Sequence, residues 1–190
     1  MNTLKCILSA GVLLFSCLSA PAGERREEKR DTTAFDKLVA LVKSQVFYVE
    51  ATDAYPTGNS SVTITSQHGT TTVGGEGHVS LAANRGELFF RDTVVTGHLP
   101  FFGRAYSLPY GEGGGFEFAK SRIDKATVKV VKKRKRQHVA FTCSMTVSGD
   151  VITVTIEAYE NGRCTIQVNS NNRASISYGG LLGPITEETP

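Results

Sequence analysis

The order of apolar and polar positions divides the chain into a short helical stretch and a long stretch of strands. From Thr33 to Ser44, Phe35, Leu38, Val39 and Val42 recur at helical spacing, which lays one apolar stripe along an α-helix. Asp31, Thr32 or Thr33 can cap its start, and Lys43 sits in the last turn, where a cation suits the negative end of the helix dipole. From Gln45 the period falls to two. In "VFYVEA", Phe47, Val49 and Ala51 alternate with Tyr48 and Glu50, and "SVTITS", "HVSLAA" and "ELFFRD" read as further short strands between Gly, Asn and Ser clusters.

The second half alternates more regularly. "HVAFTCSMTVSG" sets Val139, Phe141, Cys143, Met145 and Val147 on one face, and Ala140, Thr142, Ser144 and Thr146 on the other. "DVITVTIEAY" turns Ile152, Val154, Ile156 and Ala158 inward, and "RCTIQVNS" does the same with Cys164, Ile166 and Val168. Ser148-Gly149-Asp150 and Asn161-Gly162 separate these runs, the second as a two-residue hairpin signal. Such a meander, wet on one face, predicts a mainly β fold. It is either an antiparallel barrel or a strongly curved sheet, with one N-terminal amphipathic helix to plug an end or cover an edge.

Before the helix the pattern is different. "MNTLKCILSAGVLLFSCLSAPAG" has a basic start at Lys5, an apolar run from Cys6 to Leu18 and a small-residue exit. That is the form of a secretory signal, too short for a spanning helix. Two exits compete. Ala20-Pro21-Ala22 would release a soluble chain beginning at Gly23, whereas Leu14-Phe15-Ser16-Cys17 resembles a lipobox in which Cys17 is acylated and held at a membrane surface. The lipobox is the favoured exit. The expected organisation is a signal over 1–22, a charged tether over 23–32, one β-barrel domain over 33–180 and a C-terminal tail over 181–190. An exported protein of the periplasm or outer membrane follows, with lipid anchoring through Cys17.

Composition narrows the picture a little further. The 190 residues suffice for one domain, and 40% hydrophobic with 21% charged residues is ordinary for a soluble globular protein. A net charge of +3 does not call for nucleic acid. The most basic stretch, "KVVKKRKRQH" from Lys129 to His138, falls where "ATVKVV" and "HVAFTC" need a connecting turn. It reads as a solvated hairpin tip, with contact to anionic lipid or lipopolysaccharide as its functional alternative.

The chemically suggestive residues yield few motifs. Cys143 and Cys164 fall on strands separated by a third, about 10 Å apart at a strand spacing of about 4.8 Å, beyond disulfide reach. They read as small buried hydrophobes, with a bridge as the minority reading. His68, His78, His98 and His138 form no ligand-spaced pair, and no nucleophile motif is present, so neither a metal nor a cofactor is called for. Asp124 and Glu117 are a weak carboxylate pair. In "LPFFGRAYSLPYGEGGGFEF", Gly111, Gly113, Gly114 and Gly115 lack the spacing and the helix of a phosphate loop. Arg104 between Phe102 and Tyr106 is instead placed to stack on an aromatic face or reach a carboxylate.

That stretch and "NGRCTIQVNSNNRASISYGG" together resemble a family of bacterial envelope proteins catalogued as domain of unknown function family four-two-five-one. The likeness runs from about Phe35 to Gly180, and its motifs fall on Phe101 to Tyr110 and Val168 to Tyr178. It implies an exported, often lipid-anchored protein of Gram-negative bacteria with a lipocalin-like β-barrel, and no activity. The signal departs from the pattern through its imperfect lipobox. The chain also lacks the Trp that true lipocalins carry, so ligand transport does not follow from the likeness.

The residues favour a non-enzymatic module that binds a small ligand or an envelope protein. Arg104, Tyr106, Tyr110, Asn172, Arg173 and Tyr178 are the candidate binding residues. The same groups can equally cap backbone at a barrel mouth, with the Asn run as a turn. One alternative is a hydrolase or other enzyme on an envelope or dietary polymer, using Glu112 or Glu117 near Arg173. Another is a structural or inhibitory module that covers an aromatic patch on a second protein.

Overall fold

In a computed structural model of the chain, residues 32–57, 62–66, 69–73, 77–107, 114–133 and 136–185 are described. The expected signal over 1–22 with Cys17, and His68, Tyr110 and Glu112, lie outside them. The helical stripe forms α1 over Thr32–Ser44. Phe35, Leu38 and Val42 are buried at its i, i+3 and i+7 positions, with Val39 and Leu41 partly buried beside them. The helix ends where Gln45 takes a left-handed φ of 55° and its N–H bonds to the Val42 carbonyl at 3.3 Å, closing the last turn.

The strands follow in order. They are β1 Val46–Pro56, β2 Val62–Ser66, β3 Gly69–Val73, β4 Val79–Ser80, β5 Gly86–Arg91 and β6 Val94–Pro100. After them come β7 Gly115–Arg122, β8 Lys125–Lys133, β9 Arg136–Val147, β10 Asp150–Tyr159, β11 Arg163–Ser170 and β12 Ile176–Gly183. β2 and β3 form a separate hairpin. The main sheet is 10-stranded and antiparallel, in the order β7-β6-β5-β1-β12-β11-β10-β9-β8, with β4 also paired to β1.

Its two edges are joined by only Ile123 and Asp124, so β7 and β8 are one strand that leaves one edge of the sheet and enters the other. The Ile123 N–H bonds to Thr93 O at 2.8 Å on the β6 side, and the Asp124 N–H bonds to Ser144 O at 2.9 Å on the β9 side. The sheet therefore curls into a half-barrel. Two bulges bend it: Thr52 is the extra residue of β1, and on β7 the register shifts around Lys120, whose φ is 56°. Past Thr52, β1 exchanges β5 for β4 as its partner.

Alternation predicts the inward faces correctly. Phe47, Phe90 and Phe141 meet at the centre, with ring centroids 4.8 Å apart for Phe47–Phe90 and 5.4 and 5.3 Å for their edge-on contacts with Phe141. The helix rests on β1, β8, β9 and β10. The described part of the basic stretch falls on the paired ends of β8 and β9, and Lys125, Lys129 and Lys132 project from the exposed edge strand, where charge discourages pairing with another chain.

Two turns differ from the sequence reading. The two-residue hairpin is Ser148-Gly149, with φ of 50° and 81° between the paired Val147 and Asp150, as a type I′ turn requires. Asn161-Gly162 instead belongs to a three-residue loop. Gly162, at φ 76°, donates its N–H to Tyr159 O at 3.0 Å, the left-handed last position such loops use.

Candidate functional site

The site is built where β6 leaves the sheet. From Phe101 to Ser107 the chain crosses to the β11–β12 turn and pairs with it. Tyr106 N–H donates to Asn172 O at 2.8 Å, Ala174 N–H donates to Arg104 O at 2.9 Å, and Ala105 bridges Arg173. The turn is held from below by Asp150, itself buried. Its carboxylate accepts Ser170 Oγ at 2.6 Å and the Asn171 N–H at 3.1 Å. Ser170 Oγ in turn accepts the N–H groups of Asn172 and Arg173 at 3.0 and 3.1 Å. Ser170 thus makes a Ser-type turn, anchored by the distant Asp150 carboxylate, in which side chains replace ladder partners.

Arg173 points inward and is 6% exposed. Its guanidinium carbon lies 4.7 Å from the Phe116 ring centre and 5.6 Å from that of Phe101, and Nη1 donates to the Gly115 carbonyl. Tyr178 is fully buried, and its hydroxyl donates to Pro100 O at 2.8 Å. Burial pushes the Tyr178 phenol above its ordinary range, while the nearby Arg173 charge pulls it partly back. Both side chains thus tie the ends of β6 and β7 to β12 and its turn.

Arg104 and Tyr106 point the other way. Tyr106 is 65% exposed, with the Arg104 guanidinium carbon 5.9 Å from its ring centre. Asn172 is half-buried and gives its carbonyl to the crossing segment. Five of the six candidate residues therefore meet at one end of the half-barrel, in two roles. Arg173 and Tyr178 hold backbone, and Arg104 and Tyr106 face solvent.

A protein-family model described as a domain of unknown function, DUF4251, matches residues 29–182. The chain belongs to this family. The two motif stretches that suggest it from sequence are the ones that pair at this mouth. The crystal structure of a DUF4251 family protein from Bacteroides eggerthii DSM 20697 is similar at 19% identity and a TM-score of 0.48, over 80% of this chain and 88% of that one. No curated protein matches the chain.

Elsewhere in this DUF4251 chain the suggestive residues separate. Glu117 lies on β7 and Asp124 beyond its end, about 20 Å along an extended strand, so they form no catalytic pair. Cys143 and Cys164 are free and buried on β9 and β11, with β10 between them. Burial pushes both thiols up to about 12. Among the described residues, no group of three His, Cys, Asp or Glu could hold a metal ion.

Sequence reasoning misses a concavity on the outer face of β1, β12, β11 and β10. This groove of about 510 Å³ is lined among others by Asp53, Tyr55, Tyr159, Asn161, Arg163 and Gly179. Asp53 Oδ1 pairs with His78 Nε2 at 2.9 Å, and Thr52 Oγ1 donates to Oδ2 at 2.7 Å. The Thr52 and His78 hydrogen bonds hold the Asp53 carboxyl below the usual carboxylate range. The one sequence signal was the Gly179-Gly180 pair inside a strand pattern.

Proposed function

We propose that this protein is an exported, non-enzymatic module of the bacterial envelope that binds a protein partner through the mouth. The observation that carries the reading is the pairing of Ala105 with Arg173. It fixes the crossing segment so that Arg104 and Tyr106 stand together in solvent. Tyr and Arg are the residues that most often dominate protein–protein binding energy, because each offers a large, rigid contact area with a polar end. The inward pair, Arg173 and Tyr178, pre-organises that surface, so little ordering remains to be done on binding. Export rests on the apolar run from Cys6 to Leu18, and the lipid on Cys17 would keep the mouth near a membrane.

A photo-crosslinking side chain in place of Tyr106, in cells that express and export the full chain, tests the reading. A discrete adduct is expected from position 106, and Arg104→Glu should abolish it. The exposed Val151 on β10 serves as the control position. Equal labelling from both positions, or an adduct indifferent to Arg104→Glu, would sink the mouth as a binding surface. Fractionation of a Cys17→Ala variant separately reports the anchor, with release from the membrane fraction expected.

A further inference from the structure

The outer groove shares no residue with the mouth and goes beyond the reading above. Strand alternation turns Asp53 and Tyr55 of β1 outward, and Gly179 of β12 lies directly across from Asp53. Gly179 has no side chain, and the Tyr55 ring leans over it, its Cε2 3.5 Å from where a Cβ would stand, with the His78 ring centre 5.3 Å from its own on β1's side. The groove opens between that ring and β11. On one wall stands Tyr55, 45% exposed, and on the far wall stand Tyr159, Asn161 and Arg163. The volume of about 510 Å³ falls within the range of about 300–1,000 Å³ typical of small-molecule sites.

The chemistry of the lining narrows the occupant. Asp53 offers carboxylate oxygens, each already oriented by one neighbour, as acceptors. Arg163 offers its guanidinium donors, and Asn161 uses its side-chain oxygen on the Arg163 N–H at 3.1 Å, which leaves its NH2 as a donor. A negative group held by Thr52 and His78 and an exposed positive group line the same groove, so a free anion meets Asp53 and a free cation meets Arg163. A neutral ligand whose neighbouring hydroxyls both donate and accept satisfies the two together, and its C–H faces suit the two tyrosine rings. An extended peptide is poorly served, because β1, β12 and β11 are hydrogen-bonded on both sides and offer no edge to join. We propose that the groove over Gly179 is a binding site for a neutral saccharide, with Tyr55 as the stacking platform and Asp53 and Arg163 as the hydroxyl-reading pair.

The test is a titration of the isotopically labelled full chain with cellobiose, maltose and N,N′-diacetylchitobiose, followed by amide resonances in two-dimensional NMR. At least one disaccharide is expected to shift the Gly179, Gly180 and Asn161 signals saturably. Tyr55→Ala should weaken that binding about tenfold, the scale of one lost aromatic face. Arg163→Ala should also weaken it, while Tyr106→Ala should leave it as in the wild type. Gly179→Ala raises the floor without unfolding the sheet, because an added Cβ meets the Tyr55 ring at 3.5 Å, ordinary contact. It too should weaken binding. The proposal is overturned if no disaccharide moves the groove signals, if the shifts fall at the mouth, or if Tyr55→Ala binds unchanged. None of these outcomes bears on the crosslinking result at Tyr106, so the two readings fail separately.

Discussion

The most informative single change is Tyr178→Phe, which removes one oxygen from the interior and nothing else. In the wild type that hydroxyl donates to Pro100 O at 2.8 Å, and both residues are buried. A buried hydrogen bond between neutral groups is worth about 1 kcal/mol net, and a buried acceptor left without its donor costs about 1–3 kcal/mol. A loss of about 2 kcal/mol is therefore expected. With a urea m-value of about 2 kcal/mol/M this lowers the denaturation midpoint by about 1 M. In a domain of this size it lowers Tm by about 4–8 °C. The pH dependence supplies an independent check. The phenol's folded pKa is raised above the ordinary 10.0, so below that pH both folded and unfolded chains hold the proton and the contribution is intact. As pH rises beyond it the unfolded chain releases the proton while the folded chain retains it, and stability drains away. The phenylalanine variant has no such proton, so the gap between the two proteins should narrow in alkaline solution. An unchanged midpoint in urea, or a gap that widens with pH, would refute the buried bond.

Phe141→Ala opens the centre of the aromatic cluster, where Phe141 is fully buried against Phe47 and Phe90. A loss of about 3–5 kcal/mol in urea denaturation is expected, and a loss below about 1 kcal/mol, the level of surface changes, would show that the three rings do not form the core. Cys143 and Cys164, with thiols raised to about 12, should resist iodoacetamide in the native protein near neutral pH and react only on unfolding; rapid native labelling counts against their burial. Gly180→Ala would place a Cβ 2.0 Å from Glu50 O, so it should lower the thermal midpoint steeply, whereas Gly179→Ala should barely move it. Equal effects of the two on thermal unfolding would contradict the register of β1 on β12.

How much of the fold a reader can take from the sequence depends on which strands are buried on one face only. β1, β5, β9, β10 and β11 alternate cleanly because each turns one side to the core and the other to water. "VVTGHLP" forms β6 all the same, yet only Val95 and Leu99 fall in phase inward, and Gly97 and Pro100 interrupt the pattern. The closure of the sheet is less visible still. Ile123-Asp124 carries no Gly, Pro or Asn, and the chain does not reverse there. It continues as a strand and changes partners, a choice set by β6 and β9 far away in sequence.

The same limit governs the sites. Arg104 and Arg173 both sit near aromatics in the sequence, and nothing local says which one turns inward. What decides it is the clamp of Ser170 and Asn171 on Asp150, contributed by the start of another strand, which fixes the turn so that Arg173 falls over Phe116 while Arg104 stays outside. The Gly179-Gly180 pair makes the point at single-residue scale. A double glycine in a strand announces that backbone comes close, and at Gly180 it does, against the β1 chain at Glu50. At Gly179 a Cβ would meet the Tyr55 ring at 3.5 Å and no backbone atom, so glycine there is not forced by packing against backbone. The stretch that carries the family likeness spells out Asn161, Arg163 and Gly179, yet nothing local in it says that they line one groove with Tyr55 of β1, a juxtaposition set by the pairing of β1 with β12.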